Sequence, residues 1–442
     1  MQKNTNIVQT VVLVVFGIGI ILGVLFFSGK INLPWDKQDE AGITGQVTVW
    51  GILPYPQVKG VFDVLQQKNK GLSITYVLKE PEKMQTELVN ALASGKGPDI
   101  FMMAPGEVAE NIDRLYIIPY TSYPNTIYKN NFIEAGDIFL TSQGILALPL
   151  FVNPMIMFYN RDILTSNYIT KPPTTWEELS QKVPVLTQKD DASKIKQATI
   201  ALGTTNNFSY ARDVIILRLL QLGNPITKQQ TDGWLSTLTN DQSLMNTLAW
   251  FTSFSTTTDP NYSWNTSLPK DRDYFTAGNM AFYLGYPTEI NEIKQKNPNL
   301  NFAITMVPQE KDTGKKVNYG QLYSIGISKI SKNLPGAIGV ASLMTSTEYV
   351  PNLIAGSYYV SARRDILNNK PVDNIDGALI QNAAIISKTF LDPNATQTNR
   401  LITTTINQVN AGAKNVQSAF EAINSGLSDM LTNLKLPEKP LE

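Results

Sequence analysis

The chain has 442 residues, 43% apolar and 17% charged, with Lys plus Arg equal to Asp plus Glu at 37 each. That is an ordinary globular composition, long enough for two or three folding units, with no net field to draw it toward nucleic acid. The absence of Cys and His excludes disulfides, thiol nucleophiles, a lipidated Cys and a Ser-His-Asp triad, and removes the commonest zinc ligand.

Val11 to Phe27 is a run of 17 residues without a polar side chain, extended N-terminally by Ile7 and Val8. About 20 apolar residues span a bilayer, and no small-x-small cleavage site follows at Phe27-Ser28-Gly29-Lys30. Residues 7–27 are therefore expected to be an uncleaved single-pass anchor, with 28–45 a polar tether containing Gly29, Pro34 and Gly42. Charges flanking the span are nearly balanced and do not set its orientation.

From Gln46 the pattern alternates. Val47 and Val49 make a strand ended by Gly51, and Val58, Val61, Phe62 and Leu65 recur at helical spacing. Ile74, Tyr76 and Leu78 alternate as a second strand. Pro81 opens a helix with Met84, Leu88 and Leu92 on one face, and Asp99 to Met103 is a third strand. Such alternation predicts an α/β fold with parallel strands. Further on, strands are expected at 144–150 and 155–159, a capping box at Thr175 and Glu178, and helices at 211–222, 335–344 and 401–434. Asp99 is expected to bond local amides, and Glu107 with Glu110 to be a solvated surface pair.

Seven segments in order carry a resemblance. They are Gln46-Val-Thr-Val-Trp-Gly51, Ala93-Ser-Gly-Lys-Gly-Pro-Asp99, Leu148-Pro-Leu-Phe-Val-Asn153 and Phe158-Tyr-Asn-Arg-Asp162. Pro172-Pro-Thr-Thr-Trp-Glu-Glu-Leu179, Phe275-Thr-Ala-Gly-Asn-Met-Ala281 and Ser328-Lys-Ile-Ser-Lys-Asn333 complete the set. Together they resemble the maltose-binding-protein-like solute-binding proteins of sugar ABC importers. The resemblance implies a two-lobed periplasmic-binding-protein-like fold with hinge crossings, here behind one N-terminal transmembrane helix. Lobe one is expected at 46–152 and 322–366, and lobe two at 156–318 and 372–433. It further implies an extracytoplasmic globular part, ABC permease subunits as partners, a monomer, and neither cofactor nor catalytic residue.

A sugar needs rings to stack on and a dense set of polar groups for its hydroxyls. At strand ends where α/β sheets bind ligands, the candidates are Trp50, Tyr55, Met103, Pro105, Asn153, Asn206, Asn207, Tyr286, Gln321 and Asn399. Met103-Ala-Pro-Gly106 lacks the aromatic or acid, and Asn399 the aromatic, that relatives of this type carry there. A solute receptor for signalling and a carboxylate-based glycan enzyme are the other readings of the chain.

Overall fold

The computed structural model describes residues 42–230, 233–238, 242–311, 313–369 and 374–436. The expected anchor at 7–27 and most of the tether lie outside the described residues. Among the described residues no helix is long and apolar enough to cross a membrane.

The strands, in chain order, are β1 (Gly45–Gly51), β2 (Leu72–Leu78), β3 (Ile100–Met103), β4 (Leu148–Pro154) and β5 (Ile156–Asn160). They continue with β6 (Gln188–Lys189), β7 (Ile195–Ile200), β8 (Thr227–Gln230), β9 (Gly233–Ser236), β10 (Met280–Gly285) and β11 (Phe302–Thr305). The last three are β12 (Asn318–Ile327), β13 (Val360–Ser361) and β14 (Ser387–Lys388). One sheet runs β13-β4-β12-β3-β1-β2 with β14 on β12, a second runs β11-β5-β10-β7-β6, and β8 pairs with β9.

In the first sheet β1 is parallel to β2 and β3, as the alternation predicts, whereas β12 is antiparallel to both β3 and β4. The β1 register, Gly45↔Leu72 through Gly51↔Leu78, places Val47 and Val49 in the core. In the second sheet β10 is parallel to β7 and antiparallel to β5. The chain passes from one sheet to the other at Met155, between β4 and β5, and returns at β12. β14 lies in the segment expected in lobe two but extends the first sheet through Asn318↔Ser387.

Several local expectations are corrected. Residues 144–147 make only isolated bridges, and β4 begins at Leu148. Gly144 sits at φ +147 with the Ile118 carbonyl 2.3 Å from where a Cβ would stand, a turn only glycine fits. The stretch 401–434 is two helices, Ala395–Asn410 and Val416–Thr432. Gly412 at φ +69 ends the first, and the Asn415 side chain caps the second through the Ser418 N–H. Thr175 Oγ1 accepts the Glu178 N–H at 3.2 Å, but the Glu178 carboxylate turns to the N–H and hydroxyl of Thr174.

Asp99 bonds no local amide. Its carboxylate accepts the Thr48 N–H at 2.8 Å and the Ser331 hydroxyl at 2.5 Å. Asn333 donates to the Thr44 carbonyl at 2.8 Å, and the Ser328 N–H to the Asp99 carbonyl at 2.9 Å. Three of the seven matching segments are thus stitched together, where charge-assisted bonds hold the sheet in register.

Candidate functional site

Each sheet has a set of parallel strands whose carboxyl ends share one edge. β1, β2, β3 and β4 end there in Gly51, Leu78, Met103 and Pro154, and β7 and β10 end in Ile200 and Gly285. Loops at such ends carry ligand groups in α/β proteins because the sheet holds them rigidly.

Two hydrogen bonds span the space between the two sheets, and a third joins neighbouring strands of the first. Asn153, on β4, donates at 3.2 Å to the hydroxyl of Thr288, which follows β10, and at 3.3 Å to Gln321 Oε1 on β12. Tyr358, just before β13, donates to Asn291 at 3.2 Å. At the other end Gly106, in the left-handed region at φ +87, lies against Asp392 and Ala395, and the Glu110 carboxylate receives the Ala395 N–H. Gly106 has no room for a Cβ, which would stand 2.8 Å from that of Ala395.

The first-sheet wall carries aromatic rings. Phe151, Tyr323 and Tyr359 form a triangle with centroids 4.3 to 5.3 Å apart, and the two tyrosines share a hydrogen bond. Strand alternation puts Phe151 and Asn153 on one face with Tyr323 and Gln321 opposite them. Glu107 lies near Tyr323, its carboxylate accepting the Ala104 N–H at 2.7 Å. Burial pushes the Glu107 carboxyl up; the Ala104 N–H opposes that and the Glu110 charge adds to it. Its place in this wall corrects the expectation of a solvated surface pair.

The second-sheet wall is a polar network. Glu289 accepts from the Tyr210 hydroxyl at 3.0 Å, the Tyr283 hydroxyl at 2.9 Å, the Tyr286 N–H at 2.8 Å and Arg272 at 3.2 Å. Burial, then the Glu289 charge, pushes the Tyr210 phenol up. Tyr286 donates to Asp213 at 2.6 Å. Arg212 joins Asp213 to Asp392 and also bonds Tyr319 on β12. Its charge is therefore shared among the second wall, β12 and the segment after β14.

Two buried polar atoms in this region have no partner: Asn153 Oδ1, on a residue 3% exposed, and Arg212 Nε. An unpaired buried polar group costs about 1–3 kcal/mol, so each of these atoms has hydrogen-bonding capacity for a water or a solute. Beside Tyr358 and Tyr359 a groove of about 1140 Å³ opens toward the helix Ile375–Ile385 and reaches Lys294. Among the described residues no group of acidic side chains is arranged to hold a metal ion.

Of the sequence candidates, Asn153 and Gln321 meet directly, and Tyr286 lies behind the second wall, 2% exposed. Tyr55 is half exposed at the start of the helix Tyr55–Lys68. Trp50 is buried, and the Lys79 ammonium sits 3.7 Å over its ring, held by Glu87 at 2.6 Å. Met103 is a core residue, Pro105 is half-buried beside Gly106, and Asn206 and Asn399 are exposed. Asn207 is fully engaged: it accepts from Thr204 and Trp264 and donates to the carbonyls of Asn265 and Leu268. Sequence reasoning missed Thr288, Asn291, Tyr323, Tyr358, Tyr359, Arg212, Asp213 and Asp392. The Tyr358-Tyr359 doublet was a usable signal; the ion-pair partners, 180 residues apart, carried none.

Residues 61–377 match the profile of the bacterial extracellular solute-binding protein family. A Brucella abortus (strain 2308) protein named as a binding protein is 24% identical over 295 residues, covering 63% of this chain and 65% of its own. The cyclic α-maltosyl-1,6-maltose-binding protein of Arthrobacter globiformis superposes with a TM-score of 0.72 at 14% identity, over 88% of this chain and 100% of its own. A cyclo/maltodextrin-binding protein complexed with maltotetraose gives 0.71 at 16%, over 90% and 100%. That likeness makes the fold the two-lobed α/β fold of solute-binding proteins. The profile match spans most of the chain, and the chain belongs to the bacterial extracellular solute-binding protein family.

Proposed function

We propose that this chain is the extracytoplasmic binding component of an ABC importer, capturing a sugar or oligosaccharide between its two lobes. The observation that carries the reading is Asn153, a buried carboxamide that bridges the two sheets through Thr288 and keeps Oδ1 unpaired. A sugar hydroxyl can donate to such an acceptor while its oxygen accepts from a neighbouring N–H or O–H. The Tyr323–Tyr359 rings and the half-exposed Tyr55 offer apolar faces for sugar C–H surfaces. The groove beside Tyr358 has room for more than one ring. The names of the superposing proteins, which bind maltooligosaccharides, support the same class.

In this reading lobe one is 46–152 with 322–366, and lobe two is 156–318 with 372–433. Contacts from Asn153 and Tyr359 on one side and Tyr210 on the other exist together only when the cleft is shut. That difference in contacts is what shifts the lobes toward closure. The segment 7–27 holds the protein at the cell membrane beside the permease. The function requires no chemistry on the solute.

The test is a thermal-shift screen of the full chain in detergent against neutral oligosaccharides. A ligand at about 100 times its Kd stabilises by about 2.7 kcal/mol, well within detection. A hit should be recovered unchanged and should reduce the radius of gyration in small-angle scattering. A hit recovered cleaved would point to a glycan enzyme, and unchanged scattering would remove the closure step.

A further inference from the structure

The cleft is unevenly charged. On the second wall Glu289 is matched by Arg272, but Arg212 alone faces both Asp213 and Asp392. On the first wall, among the described residues, no cation pairs with Glu107; its carboxylate accepts the Ala104 N–H, and Glu110 lies on the same short helix, Glu107–Glu110. The nearby buried atom without a partner on this wall, Asn153 Oδ1, is also an acceptor. Two residues along β12 separate its partner Gln321 from Tyr323, the neighbour of Glu107, and both project from the same face. What this wall offers a solute is therefore acceptors and negative charge.

We propose that Glu107 is a specificity-determining residue that turns anionic solutes, such as uronates and sugar phosphates, away from the cleft. The inference rests on the sugar-binding reading above. A hydroxyl donates to a carboxylate or to Oδ1 without penalty. A second carboxylate beside Glu107 meets like charge in a site partly removed from water, where repulsion is screened little. Discrimination of this kind comes from the repulsive element as much as from the attractive one.

The experiment uses the full chain in detergent and calorimetric titration with matched pairs. Maltotriose and mannotriose are each measured beside the same trisaccharide oxidised at C6 to its uronate. Wild type should favour the neutral member by on the order of 100-fold, the scale expected of like-charge repulsion at an interface. Glu107→Gln should narrow that ratio about tenfold, whatever it does to the affinity for the neutral member. Glu107→Asp keeps the charge and should preserve the discrimination, which guards against a misfolded Gln variant. Equal binding of both members by wild type overturns the proposal, as does an unchanged ratio in folded Glu107→Gln. Those results leave the sugar-binding reading standing. Failure of every trisaccharide, neutral or charged, removes that reading and this inference with it.

Discussion

Asn207 separates a ligand contact from a structural clamp, and the structure sets the size of the effect. Its carboxamide accepts from Thr204 Oγ1 at 2.6 Å and from the indole N–H of Trp264 at 3.1 Å. It donates at 2.9 Å to both the Asn265 and Leu268 carbonyls. Trp264 is fully buried, so Asn207→Ala leaves its N–H with no acceptor, at a cost of about 1–3 kcal/mol. Losing the other three bonds adds about 0.5–1.5 kcal/mol each, partly recovered where water reaches the loop. The expected loss of stability is about 3–5 kcal/mol. Urea denaturation followed by Trp fluorescence should show a lower midpoint with an unchanged slope. Asn206→Ala, at an exposed neighbour, should stay within about 0.5 kcal/mol of wild type. An Asn207→Ala protein of wild-type stability but without affinity for a sugar would refute the clamp and return Asn207 to the binding surface.

Trp50→Ala removes a buried ring and uncovers Lys79, so it should cost about 3–5 kcal/mol in denaturation, and a wild-type midpoint would contradict the packing described. Because burial raises the Glu107 carboxyl, the folded chain holds that proton more tightly than the unfolded one. Its stabilising contribution is present below the unfolded value and is lost as pH rises through the folded value. Glu107→Gln should therefore gain on wild type as pH rises above about 4, and a difference flat with pH would count against the burial. Thr175→Ala should cost about 1 kcal/mol by freeing the Glu178 N–H at the start of the helix Trp176–Leu186, again read by denaturation.

What sequence alone determined was local and periodic. The β1 to β3 alternation, the Pro81 helix start and the Thr175 half of the capping box depend on residues within a few positions of one another, and these form as expected. The order of seven short segments was enough to indicate the family, because their spacing reflects a shared fold. Those segments mark scaffold more than site: Asp99, Thr48, Ser331 and Asn333 bind one another within the first sheet. Tertiary structure decided which polar side chains meet. Asn153 and Thr288 are 135 residues apart, and Arg212 and Asp392 are 180 apart. It also decided which candidates were already occupied, since Lys79 covers Trp50 and four partners hold Asn207. Propensity and spacing act along the chain over a turn or two, whereas hydrogen-bond satisfaction in a cleft depends on loops that the sheets bring together from distant segments.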